Sequence, residues 1–109
     1  MITKLKGVHI PNAILKLMSL GMLRPAEAIL YAILYETRGE VIRNHELAKV
    51  FRCRGLTITR MLNRLVKLGL VHREGLGTAR RMRAIEVHHA PVYREVIAQE
   101  KLKDSEIQM

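Results

Sequence analysis

Residues 44–71 read NHELAKVFRCRGLTITRMLNRLVKLGLV, and their pattern is the clearest indication of the fold. Its first part spaces apolar side chains as a short helix does, and Asn44 is a residue type suited to the N-cap. Four residues, 52–55, follow and leave room only for a turn. A strongly patterned segment from Leu56 to Leu68 then stops at Gly69, which favours a helix end. The stretch predicts two helices joined by a tight turn.

The second of these predicted helices has one apolar side and one polar side without a carboxylate. Its apolar positions are Ile58, Met61, Leu62, Leu65, Val66 and Leu68. Its polar positions are Thr57, Thr59, Arg60, Asn63, Arg64 and Lys67. A merely solvated helix usually mixes charge signs and gains ion pairs one turn apart. A purely cationic, hydroxyl and amide surface instead indicates an anionic partner, and these residue types reach base edges and phosphates from the DNA major groove.

Flanking segments complete the predicted order of elements. Upstream lie two helical segments, Pro11–Leu20 and Ala26–Arg38, and a short extended piece at Val41 and Ile42. Downstream lie two segments with strand periodicity, Leu70–Arg73 and Met82–His88, a loop at Gly75–Ala79, and a last helix after Pro91 that fades into the polar tail Lys103–Met109. The sequence thus predicts a mainly α protein with a small β-hairpin (α+β), in the order α-α-β-α-α-β-β-α.

Composition indicates one globular domain covering residues 1–109, since 49% of the residues are hydrophobic and 27% are charged. Nineteen Lys and Arg against ten Asp and Glu leave a net charge of +9. Residues 38–83 hold twelve of the basic and three of the acidic side chains, and no acid lies between Glu46 and Glu74. A protein that docks on phosphates concentrates its cations in this way. Nucleic acid is therefore the first expected partner, ahead of an anionic membrane surface or an acidic small molecule.

The sequence carries little sign of other chemistry. With one cysteine there is no disulfide, and Cys53 is expected to be a small buried hydrophobe in the turn, with a redox switch as the alternative. His88 and His89 would be neighbours on a strand and point to opposite faces, which disfavours a metal site. Neither a catalytic motif nor a cofactor site is found, so a non-enzyme is expected. The apolar tract Val8–Leu23 is interrupted by polar residues, and we expect no membrane span, no secretory signal, and a soluble, cytoplasmic, nucleoid-associated protein.

Two helices, a tight turn and a hairpin bearing Arg80, Arg81 and Arg83 are typical of a winged helix-turn-helix. The run from Glu46 through Val71 resembles, without a gap, the helix-turn-helix of MarR-like transcriptional regulators. Its last seven residues, Leu65–Val71, are similar to the passage from recognition helix to wing in those proteins. The resemblance covers roughly residues 40–90, and Ala26–Leu34 is similar to the preceding helix of the family.

The resemblance implies a winged-helix homodimer on double-stranded DNA with a pseudo-palindromic site, one helix in the major groove and a wing arginine in the minor groove. The DNA-contacting positions would be Arg54, Thr57, Thr59, Arg60, Asn63, Arg64, Lys67, Arg80, Arg81 and Arg83. Segments 1–24 and 91–109 would form the dimer. The chain departs from the family at Arg52 and Arg54, where a turn glycine and a capping serine are common. The wing lacks the usual acidic residue before its arginines, and one helix follows it where larger members have two.

Several alternatives stay open at this point. Arg60, Arg64 and Lys67 could form an ordinary solvated surface, and the hairpin arginines could protect an edge strand from aggregation. Tyr31 and Tyr35 could pack in the core or a dimer interface, or line an effector pocket. A non-specific architectural DNA-binding protein, or a winged helix that contacts protein or RNA, would share these features. The sequence does not identify the operator, the direction of regulation or an effector.

Overall fold

The computed structural model describes residues 9–37, 42–74 and 81–107. Within these ranges the protein contains five α-helices, a short 3₁₀-helix and one antiparallel two-stranded sheet. The helices are α1 (Asn12–Ser19), α2 (Pro25–Glu36), α3 (Asn44–Phe51), α4 (Gly55–Lys67) and α5 (Pro91–Ile107), the strands are β1 (Val71–Glu74) and β2 (Arg81–Ala84), and the 3₁₀-helix is Val87–His89. The predicted class, mainly α with a small hairpin (α+β), is confirmed.

Helix α2 lies at the centre of the fold. Pro25 at its first turn fits the fixed φ of proline. Its buried residues are Glu27, Ala28, Leu30, Tyr31, Ala32, Ile33 and Leu34. A helix that is apolar on most of its sides needs neighbours around it, and α2 packs against α1, α4 and β2. The core therefore surrounds α2, and α4 is held against it by Ile58, Leu62 and Leu65.

The sheet pairs Val71 with Ala84 and Glu74 with Arg81 at its two ends, and a further bond from the Ile85 N–H to the Leu70 carbonyl extends the ladder. The Tyr31 hydroxyl donates to the Ile85 carbonyl oxygen, which ties α2 to the chain after β2. Tyr31 is fully buried, and its ring centroid lies 6.1 Å from that of Tyr35. Of the readings left open for these tyrosines, the structure supports packing in the core.

The N-terminus of α3 differs from its prediction. Arg43 occupies the N-cap position and Asn44 is the first helical residue, so the prediction of Asn44 as N-cap was wrong. The Asn44 amide instead donates to the Thr59 hydroxyl of α4, 3.1 Å away. A side-chain partner on another helix has thus replaced the local backbone bond that a capping asparagine would make.

The second strand also differs from its prediction, because it ends at Ala84 and a 3₁₀-helix follows. His88 and His89 therefore do not lie on a strand as the sequence analysis expected. Val87 and Ala90 are both buried, and a separation of three residues matches one turn of a 3₁₀-helix. Core packing of these two side chains accounts for the change of conformation.

Other predicted boundaries shift in the same way. Ile42 has no strand conformation, while Val41 and the loop Gly75–Ala79 lie outside the described residues. Helix α5 runs to Ile107. The prediction that the helix ends in a polar tail from Lys103 was therefore wrong for the backbone. Nothing after Pro91 breaks the helix, since residues 92–107 contain neither glycine nor proline.

Candidate nucleic-acid interface

Helix α4 presents one stripe of exposed side chains opposite its buried face. Leu56, Arg60, Asn63 and Lys67 follow one another at steps of four, three and four residues, which places them on one side of the helix. All four are exposed, whereas Ile58, Leu62 and Leu65 are buried. We call these four residues the outer stripe. Thr57 is also exposed and flanks the stripe in the first turns of the helix.

The two cations of the outer stripe have no polar partner in the described part of the chain. Across residues 9–37, 42–74 and 81–107, Arg60 and Lys67 form neither a hydrogen bond nor an ion pair with another residue of those ranges. Lys67 lies in the last turn, where a cation also interacts favourably with the helix dipole. That interaction explains a lysine at position 67, but it does not explain an arginine in the middle of the helix.

Arg64 has a different position from its neighbours on α4. Its Nε lies 2.9 Å and 3.0 Å from the two carboxylate oxygens of Glu27, and its terminal nitrogen donates to the Met22 carbonyl at 3.0 Å. Glu27 is buried and also accepts the Arg24 backbone N–H at 2.9 Å. The guanidinium is thus occupied in joining α4 to the start of α2, although 44% of the side chain stays exposed.

Thr59 is likewise used inside the protein. Its hydroxyl donates to the Gly55 carbonyl and accepts from the Asn44 amide, both at 3.1 Å. These bonds connect α3 to α4 at the side of the outer stripe, and Thr59 is only partly exposed. The Thr59 hydroxyl therefore fixes the angle between α3 and α4. Its hydrogen is donated to the Gly55 carbonyl and is not available to a ligand.

Asn63 contacts an arginine from the sheet. The Arg73 guanidinium on β1 donates from its terminal nitrogen to the Asn63 amide oxygen. The Nε of Arg73 is buried and has no hydrogen-bond partner among the described residues. The strand after α4 thereby adds a cationic group beside the outer stripe.

The turn between α3 and α4 holds two arginines at positions that arginine does not favour. Arg52 ends α3 with φ 52° and ψ 48°, the left-handed conformation that glycine adopts most easily. Arg54 is the N-cap residue of α4 and makes no side-chain capping bond. Both side chains are exposed, while Cys53 between them packs partly buried against the core. Cys53 thus packs against the core as expected of a small hydrophobe, but it is partly buried where the sequence predicted a buried residue.

Of the three predicted wing arginines, Arg81 and Arg83 lie on the described strand β2. Arg83 is exposed on β2 and lies opposite His72 in the register. Arg81 belongs to the same strand and lies opposite Glu74. Arg80 lies outside the described residues.

Sequence reasoning missed three residues that shape this surface. Leu56 is 60% exposed and belongs to the outer stripe, and the four-residue step to Arg60 is the signal that could have found it. Arg73 was assigned only to a strand, and Glu27 only to a helix. Their contacts with Asn63 and Arg64 join residues 10 and 37 positions apart, which helical periodicity does not reveal.

Other classes of site find no support in the part of the chain that the structure describes. In those ranges there is no group of three His, Cys, Asp or Glu side chains placed to hold a metal ion. In the same ranges, none of the helices combines the length and apolar character needed to cross a bilayer. A scan against models of known protein families gives no match, and neither does a comparison with curated proteins.

Proposed function

We propose that this protein is a winged helix-turn-helix regulator of transcription that binds a specific site in double-stranded DNA as a homodimer. The observation that carries the proposal is the outer stripe of α4, with Arg60 and Lys67 unpaired within the described ranges and Asn63 exposed between them. An α-helix fits the major groove of B-DNA, about 12 Å wide, with such a stripe against the base edges. The resemblance to MarR-like regulators points the same way.

The side chains divide into two roles in this proposal. Arg52, Arg54 and Lys67 neutralise phosphates and set the register of the protein on the duplex. Thr57, Arg60 and Asn63 contact base edges, and Leu56 offers an apolar contact to a thymine methyl group. Arg64 and Thr59, which are held by Glu27 and Asn44, keep α4 in place. One hairpin arginine, Arg80, Arg81 or Arg83, enters the neighbouring minor groove, as the resemblance implies.

The homodimer is proposed to form through α1 and α5. These helices are adjacent, because the Lys16 ammonium pairs with the Glu100 carboxylate. Leu15 of α1, Leu20 directly after α1 and Leu102 of α5 are exposed by 45%, 51% and 65%. Exposed leucines on neighbouring helices indicate a surface that a second copy covers.

A non-specific architectural DNA-binding protein is the second candidate. The exposed cations of α3 and the turn, Arg43, Lys49, Arg52 and Arg54, favour it because phosphate contacts supply non-specific affinity. Thr57 and Asn63 favour the specific regulator, since phosphate neutralisation alone needs only cations.

Selection of bound duplexes from a random library, followed by sequencing, tests the proposal. A two-fold symmetric consensus is the expected result. Arg60→Ala should weaken binding to the consensus by about 1–3 kcal/mol and relax one base position. Lys67→Ala should weaken binding to all duplexes equally. Arg24→Ala is the control with unchanged affinity, because it removes an exposed cation at the N-cap of α2, outside the outer stripe and outside α1 and α5. A library without any enriched sequence would contradict the specific regulator and favour the architectural protein.

A further inference from the structure

We infer that Asn63 and Arg73 together present neighbouring hydrogen-bond donors that select guanine over adenine at one base position. The inference deepens the proposed function and rests on it. It starts from one contact: the Arg73 terminal nitrogen donates to the Asn63 side chain across the junction of β1 and α4. Thr57 and Arg60, the other polar residues proposed to contact base edges in the major groove, form no side-chain hydrogen bond with a described residue.

The chemistry of arginine fixes the orientation of the Asn63 amide. A guanidinium has five N–H donors and no acceptor, so the amide atom that faces it is the carbonyl oxygen. Asn63 is exposed, so its NH₂ group can donate to a ligand. Arg73 uses one lone pair of the Asn63 oxygen, and the second lone pair has the Arg73 N–H groups beside it.

Base edges in the major groove distinguish this arrangement from a free asparagine. A free asparagine pairs in a bidentate way with adenine, accepting from N6 and donating to N7. An asparagine that faces a guanidinium can still accept from adenine N6 through its second lone pair, but the adenine amino group then lies beside the Arg73 N–H groups, donor against donor. Guanine presents two acceptors, N7 and O6, which match the Asn63 NH₂ group and the neighbouring Arg73 donors. The remaining N–H groups on the Arg73 terminal nitrogens add donors beside the Asn63 NH₂.

A stabilising role in folding does not explain the arginine at position 73. Its Nε is buried without a hydrogen-bond partner in the described part of the chain, and an unsatisfied buried donor opposes folding. Methionine has a similar unbranched stem and no such donor, and β1 pairs through its backbone at this position. The variant Arg73→Met should therefore be at least as stable as the wild type, which makes it a suitable test.

The experiment is selection from a random duplex library with the wild type, Asn63→Ala, Arg73→Met and the control Arg24→Met, which removes an exposed arginine at the N-cap of α2. Asn63→Ala identifies the base position that depends on Asn63. The wild type should prefer guanine there. Arg73→Met should change the guanine-to-adenine preference at that position by about tenfold in favour of adenine, and leave the other positions unchanged. Arg24→Met should select the wild-type consensus, and thermal unfolding should show all variants folded.

Adenine at the Asn63-dependent position of the wild type would overturn the inference and leave the regulator intact. An unchanged guanine preference in Arg73→Met would do the same. So would a loss of all selection by a folded Arg73→Met, because the inference assigns Arg73 to one base position. A wild type that enriches no sequence would overturn the proposed function and the inference with it.

Discussion

Arg52 occupies a backbone conformation that opposes its side chain. The left-handed region places Cβ close to the carbonyl oxygen, and a non-glycine residue there costs about 1 kcal/mol. The next arginine, Arg54, fills an N-cap position without a capping bond. Arg52 and Arg54 are thus both disfavoured by the backbone positions that they occupy, and both expose a cation. Such residues are expected where a surface serves binding rather than stability.

Replacing Arg52 by glycine separates these two effects. Arg52→Gly should raise the free energy of unfolding by about 1 kcal/mol, because the strain at φ 52° is relieved. It should also weaken DNA binding, because one phosphate contact is lost. Urea unfolding and a binding titration measure the two quantities.

Arg52→Ala is the matched control, since it removes the charge but keeps a Cβ. Its affinity for DNA should fall as much as that of Arg52→Gly, without the gain in stability. Equal affinity of Arg52→Gly and the wild type would exclude Arg52 from the interface.

Gly69 ends α4 under two constraints. Its φ of 77° is left-handed, and a Cβ built there would lie 2.9 Å from the Pro91 Cδ. Gly69→Ala should therefore lower the free energy of unfolding by about 2 kcal/mol or more, from backbone strain plus a displaced Pro91. Gly21 provides the control, because it has φ 76° but open space around the same position.

Gly21→Ala should cost only about 1 kcal/mol, the backbone part of the penalty. Chemical denaturation of both variants measures the difference. Equal losses would mean that Pro91 moves aside freely and that the junction of α4 with α5 is loose.

Among the elements, α1 to α4 were predicted from the sequence to within a few residues. The hydrophobic periodicity and the positions of proline and glycine agree there. Proline precedes or begins α1 and α2, and Gly69 follows α4 with a positive φ. The 3₁₀-helix at Val87–His89 could not be predicted in this way, since its conformation follows from burying Val87 and Ala90 against other elements.

The candidate site shows the same division between local and tertiary information. A helical wheel places Thr57, Arg60, Asn63 and Lys67 outward, and the structure agrees. The wheel does not show which polar residues meet a partner from elsewhere in the chain. Arg64 finds the buried Glu27 of α2, so the residue that the sequence assigned to DNA also serves to hold the helix.

A double-mutant cycle tests the link between α2 and α4. Glu27→Ala should lower stability by about 2–3 kcal/mol, because it removes a buried acceptor of both the Arg24 N–H and Arg64. Arg64→Ala should cost less, and the coupling between the two should be about 1 kcal/mol, since solvent screens the exposed part of Arg64.

Glu36→Ala serves as the control for this cycle, because Glu36 is exposed on the same helix and should change stability by less than about 0.5 kcal/mol. Urea unfolding measures all four variants. Strictly additive effects of Glu27→Ala and Arg64→Ala would show that the ion pair does not connect the helices.

For the molecule taken together, the cations concentrate in one part of the chain. Twelve basic side chains fall in residues 38–83, which include α3, α4, β1 and most of β2, together with the exposed Val50 and Leu56. The exposed leucines 15, 20 and 102 lie outside that basic segment, on α1, directly after it and on α5. Such a division allows one surface to bind DNA while another pairs with a second copy, and the pairing doubles the number of phosphate contacts on one duplex.

Disrupting the apolar surface should therefore separate dimerisation from folding. The double variant Leu15→Glu, Leu102→Glu should be folded and monomeric in sedimentation equilibrium, because two charges on each copy would be buried in the interface. Its affinity for a symmetric site should fall by at least about tenfold, since each half-site is then bound independently. Leu56→Glu is the matched control: it charges an equally exposed leucine of α4, should leave the dimer intact, and should weaken DNA binding by repelling phosphates. A wild-type protein that stays monomeric at micromolar concentration would contradict the proposed dimer, and so would a double variant that sediments as a dimer.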